Sequence, residues 1–135
     1  METVKQAEAG SILRALWFWG PVVLYAAAIF HFSSLPNPEE ELPELLIKEV
    51  SDKVLHLVEY GILGALCHRA FRWAAGPVAA RQAVMLAICM AALYGLSDEV
   101  HQSFVPSREA SWLDWAADSV GAVAGAIGWS RLAKT

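Results

Sequence analysis

The segment Tyr94 to Gly125, YGLSDEVHQSFVPSREASWLDWAADSVGAVAG, joins two apolar runs through a junction in which most residues ionise or hydrogen-bond. Asp98, Glu99, His101, Gln102, Arg108, Asp114 and Asp118 fall within 21 residues, and Ala, Leu, Val and Trp dominate on either side. Pro106 breaks the first run, and Ser107 to Ser111 reads as a short turn. Charges at the ends of membrane-length helices are costly unless they pair, meet water or bind something. The reading of this segment therefore decides both the fold class and the position of the site.

Outward from it, the composition agrees. The chain has 135 residues, room for one domain, and an apolar fraction of 56%, above the roughly 45–50% of soluble domains. A net charge of −4 with no basic stripe excludes nucleic acid as the expected partner. Cys67 and Cys89 lie in apolar runs without metal or disulfide spacing, and read as small packing residues.

Three further segments complete an expected all-α bundle of four transmembrane helices. Residues 16–35 (LWFWGPVVLYAAAIFHFSSL) have the length a bilayer demands, about 20 residues, with Trp17 and Trp19 at an interfacial position and Pro21 in the first turns. No small-residue cleavage site follows, so the run reads as a retained span rather than a signal peptide. Residues 36–53, with three prolines and five glutamates, read as an acidic outer loop with a short helix over Glu44 to Val50. The second span is 54–73, the third 82–101 and the fourth 112–132. Gly76, Pro77 and Arg81 belong to a connector.

The distribution of Lys and Arg orients this bundle. With both termini cytoplasmic, that side holds Lys5, Arg14, Arg69, Arg72, Arg81, Arg131 and Lys134, against Lys48, Lys53 and Arg108 outside, as the positive-inside rule requires. The expected location is the bacterial cytoplasmic membrane, multi-pass. The polar start of span two, the polar end of span three and the polar start of span four then share the extracytoplasmic face.

Span two carries Asp52, Lys53, His56, Glu59 and Tyr60 near its start, with Asp52, His56, Glu59 or Tyr60, and Leu63 on one face by their i, i+4, i+7 or i+8, i+11 spacing. Asp114 and Asp118 stand one turn apart at the start of span four. Asp114 alone could simply favour the positive end of a helix dipole; Asp118 lies a turn deeper, and His56 and Glu59 lie inside their helix. Arg108 is the natural counter-charge, since its fork satisfies a carboxylate or a phosphate. Gly121, Gly125 and Gly128 make a small-residue stripe that lets a helix approach closely, a route to oligomers.

The blocks Asp52-Lys53-x-x-His56-x-x-x-Tyr60-x-x-x-Gly64, Asp98-Glu99-x-His101-Gln102-x-Phe104-x-Pro106-x-Arg108 and Asp114-x-x-x-Asp118-x-x-Gly121-x-x-x-Gly125 resemble the VanZ-like family of small bacterial membrane proteins. Phe32-Ser33-Ser34 fits the same pattern. The resemblance implies a four-helix integral membrane protein associated with the cell envelope, since the founding member is linked to resistance to the glycopeptide teicoplanin. It implies no settled reaction. Asp118 departs from the Asn expected at that position in much of the family.

Two chemistries suit these residues. The first is binding or modulation of an anionic cell-envelope or lipid-linked ligand by Lys53, His56 and Arg108, with Asp98, Glu99 and Gln102 holding them. The second is an intramembrane hydrolase or transferase acting on a lipid-linked phosphate or ester, with His56, Asp98 and Glu99 as catalytic candidates. There a divalent metal, held by some of His56, Asp98, Glu99, Asp114 and Asp118, would lower the pKa of its bound water, or His56 or His101 would act as general base. A transporter would need polarity through to the other side, where His68 and Arg69 offer little of it.

Overall fold

A computed structural model describes residues 2–36, 52–108 and 110–133. The elements are α1 (Glu2–Ser33), α2 (Asp52–Ala74), α3 (Gly76–Arg81), α4 (Ala83–Gln102) and α5 (Trp112–Leu132); there is no strand among the described residues. The all-α expectation holds. The acidic loop, with its expected short helix over Glu44 to Val50, lies outside the described residues.

Three local differences from the sequence reading have simple causes. Helix α1 starts at Glu2 rather than near Leu16, because the polar leader is rich in Ala, Glu, Gln and Lys, which favour helix as strongly as the apolar run does. Pro21 consequently sits inside the helix rather than in its first turns, where it withholds the N–H that would bond the carbonyl one turn earlier. The connector is itself a short helix, α3, entered through Gly76 at φ 84 with Pro77 in its first turn, where a missing N–H costs least.

Among the described residues, helices α1 and α4 contain the two stretches, Glu8–Ser33 and Ala83–Gln102, that are long and apolar enough to cross a membrane. The expected second and fourth spans, within α2 and α5, fall short of that measure. Helix α2 carries His56, Glu59, His68, Arg69 and Arg72, and α5 is diluted by Asp114, Asp118 and three glycines. The cause is visible in the packing, since α2 and α5 are the most extensively packed pair of the bundle. Their backbones touch: a Cβ added at Gly64 would stand 2.5 Å from the carbonyl oxygen of Ala122, and at Gly121 and Gly125 it would run into the carbonyls of Leu57 and Gly61. Two of the three glycines expected to serve a second copy therefore serve the chain's own α2, while Gly128 meets no atom within 4 Å.

Polarity runs inside out. The interior holds Ala70, Ala87, Ala91, Ala122 and Ala126 together with His56, Asp98, Glu99, Asp114 and Asp118, whereas Leu13, Leu16, Trp17, Leu24, Leu93, Phe104 and Trp112 are exposed. Soluble monomers rarely expose a contiguous apolar patch larger than a few hundred Å². At one end of the bundle, Arg69 lies over the rings of Phe18 at 4.6 Å and Trp17 at 5.9 Å, an aromatic and basic girdle of interfacial type. Cys67 is in the core; Cys89 is exposed on α4.

Candidate functional site

At the opposite end, the C-terminal ends of α1 and α4 meet the N-terminal ends of α2 and α5. Several of the cross-helix links there are polar. His56 Nδ1 of α2 stands 2.9 Å from Asp118 Oδ1 of α5, and one turn outward Lys53 pairs with Asp114. The i, i+3 and i, i+4 spacings within each helix put both pairs on one α2–α5 seam. Helix α4 contributes Glu99, whose Oε2 accepts the backbone N–H of Ser111 at 2.7 Å, so the side chain caps the entry to α5 in place of Ser111's own hydroxyl, which makes no cap bond.

Asp98, adjacent in sequence, turns the other way toward α1. Its Oδ2 accepts from Ser33 Oγ at 2.7 Å and from Gln102 Nε2 at 3.0 Å, and Gln102 also reaches Ser33 Oγ at 3.3 Å. His101 stacks on Phe30 at 4.6 Å between centroids and lies 3.0 Å from Ser34 Oγ, on the α1 side of the end. Arg108 also faces α1, donating Nη2–H to Phe32 O at 3.0 Å and Nε–H to Leu35 O at 3.3 Å. Those carbonyls belong to the last turn of α1 and the residues just after it; Phe32 O also accepts the Leu35 N–H at 3.2 Å, and a cation suits that end of the dipole.

The twelve residues expected at the site thus divide. His56, Glu99 and Asp118 form its centre, with donor atoms within 4.8 Å of one another and all three residues buried. Tyr60 is fully buried beneath them; its ring and Asp118 both lie against Gly95, where a Cβ would come to 3.1 Å of the ring and 2.9 Å of Asp118 Oδ2. Lys53 and Asp114 form the rim on one side, and Asp98 with Gln102 the wall toward α1. His101 and Arg108 secure α1. Glu59 is half-buried. Asp52 opens α2, and its side chain lies outside the described residues.

Of the five candidate metal ligands, Asp98 and Asp114 stand outside the central group and are engaged by Ser33, Gln102 and Lys53. Tyr60 Oη, Glu99 Oε1, Asp118 Oδ2 and, beside Asp118 on α5, Ser119 Oγ are buried without a hydrogen-bond partner among the described residues. Three contributors escaped the reading of the sequence as site residues. Ser33 was signalled by two serines closing an apolar run, and Gly95 by a glycine in an Ala- and Leu-rich helix three residues before Asp98. The Ser111 contribution is a backbone N–H, which no side-chain pattern announces.

Helices apolar outside and ionisable within, two of them fit to cross a bilayer, define a membrane protein built around a buried polar site. The VanZ/LLP1 family model matches residues 22–133, and the chain belongs to that family. No curated protein matches, and no solved structure does.

Proposed function

We propose that the chain is a multi-pass protein of the bacterial cytoplasmic membrane, with four spans and both termini cytoplasmic. Its polar end faces outward and receives the anionic group of a cell-envelope lipid or lipid-linked precursor. One observation carries the reading of this end as a ligand site. Polar atoms of Tyr60, Glu99 and Asp118 are buried among the helix ends with no hydrogen-bond partner among the described residues, in a bundle whose outside is apolar. Unmet buried polar groups cost about 1–3 kcal/mol each. A ligand that meets them removes that cost.

The anionic character of the ligand is argued from the cations at this end. Lys53 has a side chain 44% exposed while paired with Asp114, and Arg108 is half-buried. The exposed apolar belt and the inside-out interior support four spans, since α2 and α5 are polar where they face each other. A family link to glycopeptide resistance is part of this proposal through the envelope ligand.

A second reading, chemistry on that ligand, is favoured by the His56–Asp118 pair. An imidazole oriented by a buried carboxylate is the arrangement of a general base, suited to hydrolysis or transfer at a phosphate or ester.

The test uses full-length protein in nanodiscs with a short-chain polyprenyl phosphate as probe, against a zwitterionic lipid. Binding of the phosphate at least tenfold tighter, weakened by Lys53→Gln, is the expected result. Equal affinity for both lipids would remove the anionic-ligand reading. For orientation, a membrane-impermeant maleimide should label Ser103→Cys in intact cells of a variant lacking Cys67 and Cys89; labelling only after permeabilisation would reverse the topology.

A further inference from the structure

We propose that His56, Glu99 and Asp118 hold one divalent transition-metal ion at the floor of this site; the inference rests on the reading of this end as a ligand site. The three residues come from α2, α4 and α5, are all buried, and offer donor atoms within 4.8 Å of one another. Proximity of acids is not by itself a metal site. The further observation is that Glu99 Oε1 and Asp118 Oδ2 have no hydrogen-bond partner among the described residues, on residues only 5% and 0% exposed.

Each carboxylate is already oriented through its other oxygen. Ser111 N–H fixes Glu99 Oε2 at 2.7 Å, and His56 fixes Asp118 Oδ1 at 2.9 Å. The Ser111 N–H is an outer partner of the kind that holds a metal ligand in position, whereas His56, itself a ligand of this set, touches Asp118 directly. Charge points the same way. Two buried carboxylates share this space, His56 as an imidazolium would offset one of them, and Lys53 is engaged with Asp114. A divalent ion compensates both at once.

One imidazole nitrogen with two carboxylate oxygens is a donor set of intermediate softness, suited to Zn²⁺ or Mn²⁺ rather than to copper(I). Ligands at about 2.0–2.2 Å from zinc stand roughly 3.5 Å apart, so the side chains close by about an ångström around the ion. Three protein ligands leave a coordination position open. An acidic floor can thereby accept an anionic ligand, because the ion bridges them. Gly95 provides the clearance beside Asp118 Oδ2 on α4.

The experiment uses detergent-purified full-length protein, stripped with chelator and dialysed, then titrated separately with Zn²⁺ and Mn²⁺, with bound metal counted by mass spectrometry. One equivalent per chain is expected. The isosteric variants Glu99→Gln and Asp118→Asn should each weaken binding at least tenfold, and Glu8→Gln, an exposed carboxylate in the N-terminal part of α1, should stay within about twofold of wild type. Co²⁺ loaded in their place should give a visible spectrum that the same two variants abolish. Circular dichroism and elution volume verify folding, and should Asp118→Asn not fold, Glu99→Gln on another helix carries the same test. No binding below millimolar metal, or wild-type affinity in both variants, would overturn the inference and leave a shared proton as the compensating charge. The two proposals fail separately: metal bound without preference for polyprenyl phosphate overturns the lipid reading alone, and lipid bound without metal overturns the ion alone.

Discussion

Replacement of Gly64 by Ala tests whether the α2–α5 contact is what holds the site together. The added Cβ would lie 2.5 Å from Ala122 O, 2.9 Å from Ala122 Cα and 3.1 Å from Ala122 C. All three are backbone atoms, so no side-chain rotation relieves the overlap. Ordinary contact begins at 3.4 Å, so the helices must part by about 0.9 Å at this point. Overpacking of this kind costs about 1–3 kcal/mol, and a helix gains about 1 kcal/mol when Gly becomes Ala. The net expectation is a loss of up to about 2 kcal/mol. Gly128→Ala is the internal control, because nothing lies within 4 Å of its Cβ, and it should be neutral or gain up to about 1 kcal/mol. Equilibrium unfolding in mixed micelles, read by tryptophan fluorescence, measures both variants. Equal stability of Gly64→Ala and Gly128→Ala would refute backbone contact between α2 and α5 as the organising interaction.

Lys53→Met leaves the buried Asp114 without its cation and should cost about 1–2 kcal/mol, discounted because the lysine is half exposed; Lys53→Met with Asp114→Leu should recover most of that in a double-mutant cycle by the same unfolding assay. Ser107 sits at φ 66, so Ser107→Gly should gain about 0.5–1 kcal/mol, and a loss would show that the serine holds the loop by more than its backbone. Arg108→Lys gives up the fork across Phe32 O and Leu35 O and should lower stability by about 1 kcal/mol without changing metal stoichiometry. Gly95→Ala, which crowds Asp118 Oδ2, should reduce metal affinity more than it reduces stability, the two being compared on one preparation.

Much of the architecture was legible because helices announce themselves by apolar length and by the prolines and glycines between them. The third span was expected at 82–101 and the helix is Ala83–Gln102. The convergence of three polar segments was also legible, since His56, Asp114 and Asp118 lie near the starts of their helices and Asp98 and Glu99 near the end of theirs, and antiparallel neighbours bring a start beside an end. What the sequence could not carry was azimuth. Asp98 and Glu99 are neighbours, about 100° apart around a helix of 3.6 residues per turn, and that rotation sends one to Ser33 and the other to Ser111. Arg108 read as the counter-charge of a carboxylate or phosphate, yet its donors meet carbonyls at the end of α1, a demand created by where a helix stops rather than by any acidic residue. The glycines of α5 were recognised as a close-approach stripe, but the helix that approaches is a matter of tertiary order.

The Lys53–Asp114 and His56–Asp118 links of the α2–α5 seam join residues 61 and 62 positions apart. During synthesis, at about 5–20 residues per second, α2 emerges roughly 3–12 s before the aspartates that match it. Over that interval Lys53, His56 and Glu59 have no α5 to face, and a charged residue at mid-bilayer costs about 2.5–3.5 kcal/mol. On the four-span proposal, integration of α2 is a delayed event, with its polar side kept in the insertion machinery or at the water interface until α5 arrives. On that proposal the same seam that makes the site couples the membrane entry of α2 to the synthesis of α5, and a truncation before α5 should leave a cysteine placed on the polar side of α2, in a variant lacking Cys67 and Cys89, open to a membrane-impermeant maleimide.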